Sequence, residues 1–180
     1  MFLPQRKPGH DWLGVVVAIP EPWVTHLTDL RLSLGDMQGS RVPAHITIMP
    51  PTPVPASARA DVIAHLSSIA QGHRPFRIRL RGSGTFRPVS QVAFLRLAEG
   101  AAECAALADD VRSGPLDADL RFPYHPHVTI AQDVDDPAID LAVDVAADFE
   151  ASWVVPGFRL DRVDENGMYS SMALFDFDAG

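Results

Sequence analysis

The sequence contains little of what several classes of protein require. Only one of its 180 residues is cysteine, Cys104, so no disulfide can form within the chain. No signal-peptide pattern is seen at the N-terminus, and the longest clean apolar run is Val15–Ile19. That run is far shorter than the roughly 20 residues that cross a bilayer. We therefore expect a cytoplasmic protein without a membrane span.

Positive charge is also scarce. The chain has 15 Lys and Arg against 23 Asp and Glu, which gives a formal net charge of −8 at pH 7. Proteins that bind long stretches of nucleic acid do so through many basic side chains, so duplex nucleic acid is not an expected partner. A small nucleotide or an RNA terminus fits better, because an acidic protein can still carry a local basic cleft.

Motifs of several cofactor-dependent enzymes are missing. The sequence has neither a Gly-x-Gly-x-x-Gly nor a Gly-x-x-x-x-Gly-Lys-Ser/Thr phosphate loop, which argues against dinucleotide and nucleoside-triphosphate enzymes. It also lacks His-Glu-x-x-His and paired cysteines, two frequent signatures of zinc sites. We therefore expect no cofactor and no metal.

What the sequence does have is a regular alternation of apolar patterns. Hydrophobic residues make up 47% of the chain, which is enough for a substantial core. Period-two patterns predict strands at 12–19, 42–49, 76–80, 92–97, 128–131, 153–163 and 168–177. Helical spacing predicts helices at 20–34, 57–71, 101–112 and 137–149. This mixture predicts an α+β fold.

The two halves of the chain share one order of elements: strand, helix, histidine-containing strand, helix, strand. The first strands of the halves and their histidines are offset by nearly the same number of residues, which indicates an internal duplication. We predict one two-lobed domain over residues 1–180, with approximate halves 1–88 and 89–180. Its pseudo-two-fold arrangement would have two largely antiparallel sheets lining a central cleft and helices outside. We expect a monomer.

The most informative residues are two His-x-Thr motifs in predicted strands. Alternate residues of a strand face the same side, so His45 lies beside Thr47 and His127 lies beside Thr129. The apolar residues between them would face the core. Each strand therefore offers an imidazole next to a hydroxyl.

Two other histidines occur in similar triplets. His26 precedes Leu27 and Thr28, and His65 precedes Leu66 and Ser67. Both triplets lie in predicted helices, where residues two apart point about 200° away from each other. They cannot serve one ligand, so only the strand motifs remain candidates.

The paired strands resemble those of the two-histidine phosphoesterase superfamily, in particular its bacterial 2′-5′ RNA ligase and cyclic phosphodiesterase group. The likeness covers most of the chain and includes the run Pro126–Ile130 and the Gly82–Phe86 segment followed by Pro88. It implies two histidines that face each other across a cleft. It also implies a metal-independent phosphodiesterase acting on a 2′,3′-cyclic phosphate or on 2′-5′-linked ribonucleotides or RNA ends. By the same likeness, His45 is the general acid and His127 the general base.

The residue types suit this chemistry. An imidazole with an ordinary pKa of about 6.5 can either donate or accept a proton near neutral pH. The hydroxyls of Thr47 and Thr129 can donate hydrogen bonds to non-bridging phosphate oxygens. Two alternatives stay open: a catalytically silent module that binds nucleoside monophosphates, and a metal-dependent hydrolase built on His45, His125 and His127.

Weaker candidates for substrate contacts lie near the motifs. Phe86 and Tyr124 can stack on a nucleobase, because every base has an aromatic face. His125 shares the face of His127 if the strand extends back through Pro126. It is then a residue at the rim or a neighbour that orients the site.

Arginines are candidates for binding a phosphate outside the reaction centre, because the planar guanidinium matches phosphate oxygens. Arg41 and Arg121 are nearest in sequence to the motif strands, and Arg6 and Arg87 are further candidates.

Overall fold

The computed structural model describes residues 3–178, and these residues form the predicted α+β class. The strands are β1 (His10–Ala18), β2 (His45–Pro55), β3 (Phe76–Thr85), β4 (Val92–Glu99), β5 (His127–Gln132), β6 (Glu150–Val155), β7 (Gly157–Val163) and β8 (Tyr169–Asp176). The helices are α1 (Trp23–Ser33), α2 (Arg59–Gly72), α3 (Ala101–Val111) and α4 (Asp136–Val145). Within residues 3–178, no helix combines the length and the apolar character that a bilayer span requires.

The eight strands form one antiparallel sheet in the order β6-β3-β4-β5-β2-β1-β7-β8. The structure therefore does not confirm the expected pair of sheets or the internal duplication. The physical reason is that the two histidine strands pair with each other, with Ile46 opposite Val128, and this contact joins the strands on either side into one sheet. Each end of the sheet also contains strands from both halves of the sequence.

The sheet curls because its two ends are linked by a single residue, Pro156. β6 pairs with β3 near one end, whereas β7 lies between β1 and β8 near the other. The single strand predicted over 153–163 is therefore wrong, since proline lacks the N–H that a continuous strand would use. Gly157 follows at a close approach, where an added Cβ would lie 2.1 Å from the backbone oxygen of Phe175.

The first histidine strand is longer than predicted at its C-terminal end. β2 continues through several prolines to Pro55, which is opposite His10 of β1. The structure pairs β5 with β2 only at Ile46, so most of β2 has a partner strand on one side only. Prolines are tolerated on such an edge-like strand, because its side without a partner strand needs no N–H donors.

Strand alternation divides the residues of the two motif strands as predicted. Ile46 and Ile48 of β2, and Val128 and Ile130 of β5, are completely buried. They belong to one hydrophobic core that also contains the buried faces of the helices. Full burial of such a side chain contributes about 1.5–3 kcal/mol relative to exposure, so a register shift of one residue would be strongly unfavourable. The histidines and threonines are left on the opposite face.

Candidate active site

The two His-x-Thr motifs lie side by side at the centre of the sheet. Because β2 and β5 run antiparallel with Ile46 opposite Val128, His45 is next to Thr129 across the strand boundary, and His127 is next to Thr47. All four side chains line one cavity of about 310 Å³. Sequence reasoning thus identified four residues that the fold brings together.

Both imidazoles are oriented by the same local hydrogen bond. Nδ1 of His45 lies 2.8 Å from the carbonyl oxygen of Pro43, and Nδ1 of His127 lies 2.7 Å from the carbonyl oxygen of His125. A carbonyl can only accept, so each Nδ1 carries the proton and donates it. The Nε2 atom of each neutral ring is then free of its proton and can accept one from a ligand.

Burial lowers the pKa of both histidines. The pKa of His45 falls to about 4, mainly because burial disfavours the charged ring and also because Arg31 is nearby, although the hydrogen bond to Pro43 opposes the shift. The pKa of His127 also falls through burial, again against the effect of its backbone hydrogen bond, and the neighbouring His125 lowers it further. Both rings are therefore neutral at pH 7 before a ligand binds. An anionic phosphate would raise the pKa of either ring.

An aromatic pair flanks His127. The rings of Phe86 and Phe94 stack with centroids 4.2 Å apart, and the Phe86 ring meets His127 edge-on at 4.9 Å. Phe86 also lines the cavity. His125 is exposed and does not line the cavity, and its ring centroid is 6.2 Å from that of His127.

Tyr124, which was predicted to stack on a nucleobase, contacts the motif strand β2 through its hydroxyl group. Its hydroxyl donates a hydrogen bond to the backbone oxygen of Thr47 at 2.9 Å, and its ring packs against the core. Tyr124 does not contribute to the cavity lining. Burial raises the pKa of its hydroxyl, which therefore remains a donor.

The candidate arginines lie outside the cavity lining. Arg41 and Arg121 are exposed, and the guanidinium of Arg121 is 5.0 Å from the ring centroid of Phe122. Arg6 forms an ion pair with Glu165 at 2.8 Å, and Arg87 forms ion pairs with two aspartates of α4.

Several residues that sequence reasoning missed also line the cavity. They are Arg31, Gln38, Ser90, Phe122, Gln132 and Tyr169. The Tyr169 ring centroid is 5.3 Å from that of His45, and burial raises the pKa of its hydroxyl. No local signal identifies Tyr169, because β8 reaches the cavity only through its pairing with β7.

Arg31 is fixed within the protein. It is 4% exposed and Asp36 is 1% exposed. The Arg31 guanidinium donates to the Asp36 carboxylate at 3.0 Å and to the carbonyl oxygen of Val42 at 2.9 Å. The buried ion pair thus holds the segment that leads into β2 and His45.

A metal site requires several converging ligands. Across residues 3–178, no three histidine, cysteine or acidic side chains are grouped so that they could hold a metal ion. His125, the third ligand of the metal-dependent alternative, is the exposed residue outside the cavity.

Comparison with known proteins shows similarity to one family. The model of the 2′-5′ RNA ligase superfamily matches residues 19–166. A Bacillus cytotoxicus protein assigned by name to the phosphoesterases is 30% identical over 124 residues, which cover 69% of this chain and 71% of that protein. A Bacillus pumilus protein with the same assignment is 26% identical over 121 residues, which cover 67% of this chain and 70% of that protein.

Solved structures with the same fold are also found. A protein of Thermus thermophilus superposes with a TM-score of 0.68 at 22% identity, covering 93% of this chain and 98% of that one. The structure of E. coli LigT complexed with 3′-AMP gives a TM-score of 0.62 at 19% identity, with the same coverage. At these identities the likeness shows the fold.

Proposed function

Because the chain belongs to the 2′-5′ RNA ligase superfamily, we propose that it is a metal-independent phosphodiesterase that acts on 2′,3′-cyclic phosphates or on 2′-5′-linked ribonucleotides or RNA ends. One observation carries the proposal. His45 and His127 lie on adjacent strands, line one cavity together with Thr47 and Thr129, and donate their Nδ1 protons to the backbone in the same way. This leaves two Nε2 atoms for one substrate.

The proposed hydrolysis needs one base and one acid. Nε2 of His127 accepts a proton from a water molecule, whose oxygen attacks phosphorus. The bond from phosphorus to one ribose oxygen breaks, and Nε2 of His45, protonated at this stage, gives its proton to that oxygen. The product is a phosphate monoester beside a free hydroxyl. If a ribose hydroxyl attacks phosphorus in place of water, the same step joins two ribonucleotides, and in the reverse of that joining step the two histidines exchange roles.

The threonines and the low pKa values fit the same scheme. The hydroxyls of Thr47 and Thr129 donate to the non-bridging oxygens, where negative charge increases in the transition state. In the unliganded site the pKa of His45 is about 4, so His45 is neutral at pH 7. The bound phosphate anion raises this pKa and favours the protonated form that the acid step requires.

Small phosphate compounds suit a cavity of this size. Structures of E. coli LigT, which has the same fold, are described as complexes with 3′-AMP and with phosphate. The net charge of −8 of the present chain also favours small substrates over long nucleic acids. These points support a nucleotide or an RNA end as the substrate.

The test is a panel of nucleoside 2′,3′-cyclic phosphates and 2′-5′-linked dinucleotides, incubated with the purified protein in excess EDTA. We expect monoester products, resolved by chromatography, at rates that EDTA does not change. A His127→Ala protein is the control for contaminating activity. Tight binding of nucleoside monophosphates without turnover would instead indicate a silent binding module. Activity lost in EDTA and restored by zinc or manganese would indicate a metal-dependent hydrolase.

A further inference from the structure

One arginine that sequence reasoning did not consider lies on the strand next to His127. Arg96 of β4 is directly opposite His127 of β5, so both side chains project from the same face of the sheet. Arg96 is exposed, and across residues 3–178 it forms no ion pair. Its charge is therefore available to a ligand.

The guanidinium of Arg96 packs over Gly84, whose lack of a side chain leaves room for it. An added Cβ on Gly84 of β3 would lie 3.1 Å from both Nε and Nη2 of Arg96 and 3.0 Å from Cζ of Phe94. The guanidinium and the tip of the Phe94 ring thus lie side by side over the Gly84 backbone. Any larger residue at Gly84 would displace them. The guanidinium therefore leans over β3, on the side of β4 away from β5 and outside the cavity lining. It lies next to the Phe94 ring, whose stacking partner Phe86 lines the cavity.

Two arginines whose charges act on His45, Arg31 and Arg159, are already engaged. Arg31, which lines the cavity, is bound to the buried carboxylate of Asp36 and to a backbone carbonyl. Arg159 donates two hydrogen bonds, at 2.6 and 2.8 Å, to the fully buried Asp161. Neither of these two arginines can bind a second anionic group without losing its carboxylate partner, whereas Arg96 on the His127 side has no such partner among residues 3–178.

We propose that Arg96 binds a second phosphate group of the substrate, the one attached to the 5′ oxygen of the ribose whose 2′,3′-cyclic phosphate reacts. This inference rests on the proposed function. In this arrangement the cyclic phosphate lies between His45 and His127. The ribose separates the two phosphates, so the 5′-phosphate lies outside the histidine pair, on the β4 side of His127. A guanidinium presents a planar fork of donors to such a group. The 5′-phosphate is either terminal or the internucleotide linkage of an RNA end.

The experiment compares three substrates: adenosine 2′,3′-cyclic phosphate with a 5′-hydroxyl, the same compound with a 5′-phosphate, and a dinucleotide that ends in a 2′,3′-cyclic phosphate. Wild-type protein should show a kcat/KM about tenfold or more higher for the compounds with a 5′-phosphate, because a hydrogen-bonded charge pair is added. Arg96→Ala should remove this preference, mainly through KM, and Arg96→Lys should retain part of it. Arg74→Ala, an exposed arginine before β3, removes the same charge and should keep the preference.

Each outcome has a distinct meaning. A preference for both 5′-phosphorylated compounds that is lost in Arg96→Ala supports a terminal phosphate, and a preference for the dinucleotide alone that is lost in the same way supports the internucleotide linkage. Equal kcat/KM for all three substrates, or a preference that survives in Arg96→Ala, overturns the role of Arg96 and leaves the proposed function intact. If wild-type protein hydrolyses none of the three, the role of Arg96 and the proposed activity on 2′,3′-cyclic phosphates are both overturned, and the 2′-5′-linked dinucleotides of the first panel decide the rest of the proposed function.

Discussion

The hydroxyl of Tyr124 donates a hydrogen bond to the backbone oxygen of Thr47 across 2.9 Å. Tyr124 lies in the segment that leads into β5, and Thr47 is part of β2. The two strands are otherwise joined by the single opposed pair of Ile46 and Val128 among residues 3–178. The tyrosine thus adds a second link between the two histidine strands, close to the proposed reaction centre.

Replacement of Tyr124 by Phe should lower the free energy of unfolding by about 1 kcal/mol, since it removes one hydrogen bond and keeps the packed ring. Urea unfolding followed by circular dichroism measures the change. If the midpoint of unfolding equals that of the wild type, the link has no part in the stability of the paired strands.

Replacement of His45 or His127 by Ala should lower kcat at least about 10²-fold, the lower scale for a positioned acid or base. The measurement is steady-state hydrolysis of a nucleoside 2′,3′-cyclic phosphate by each variant. The matched control is His26→Ala, because His26 is an exposed residue of α1 whose ring stacks on Phe149. A folded His26→Ala protein with the same loss would contradict the assignment of the two strand histidines.

The dependence of kcat/KM on pH should be bell-shaped, with its maximum below pH 6.5. The profile reports the free protein, in which burial lowers the pKa of His45 to about 4 and also lowers the pKa of His127. The active form has one protonated and one neutral ring, and it is most populated between these lowered values. Activity therefore falls as the pH rises above the higher pKa and as it drops below the lower one.

The two limbs of this profile should belong to the coupled pair, because two imidazoles that share one phosphate influence each other. A variant without one of the histidines should lose one limb in its residual activity. A profile that climbs steadily to about pH 10 would point to hydroxide or a metal-bound water as the nucleophile and would contradict the paired roles.

Replacement of Asp36 by Ala should lower the free energy of unfolding by about 3–5 kcal/mol, because it leaves the buried charge of Arg31 without its partner. Chemical denaturation gives the value. The matched control is Asp109→Ala, which breaks an exposed pair with Arg112 and should cost at most about 1 kcal/mol. Similar losses in both variants would show that burial of the Arg31 pair is unimportant.

Much of the fold class and part of the site could be predicted from local pattern. Alternation within each strand separates Ile46 and Val128 from the histidines and threonines on the other face. Helical spacing likewise separates His26 and His65 from the strand motifs. Such patterns depend on a few neighbouring residues, so the sequence alone determines them.

Other features depend on contacts between distant segments, and local pattern does not encode them. Long-range strand order and register decide that β2 pairs with β5 in one sheet and that the chain breaks at Pro156. They also decide that Tyr169 lies beside His45 and that Arg96 is opposite His127. An apolar strand is compatible with many partners, and only the packing of the whole core selects among them. The sequence therefore determined the motif residues and the face of the strand on which they lie, whereas the tertiary structure alone decided what surrounds them.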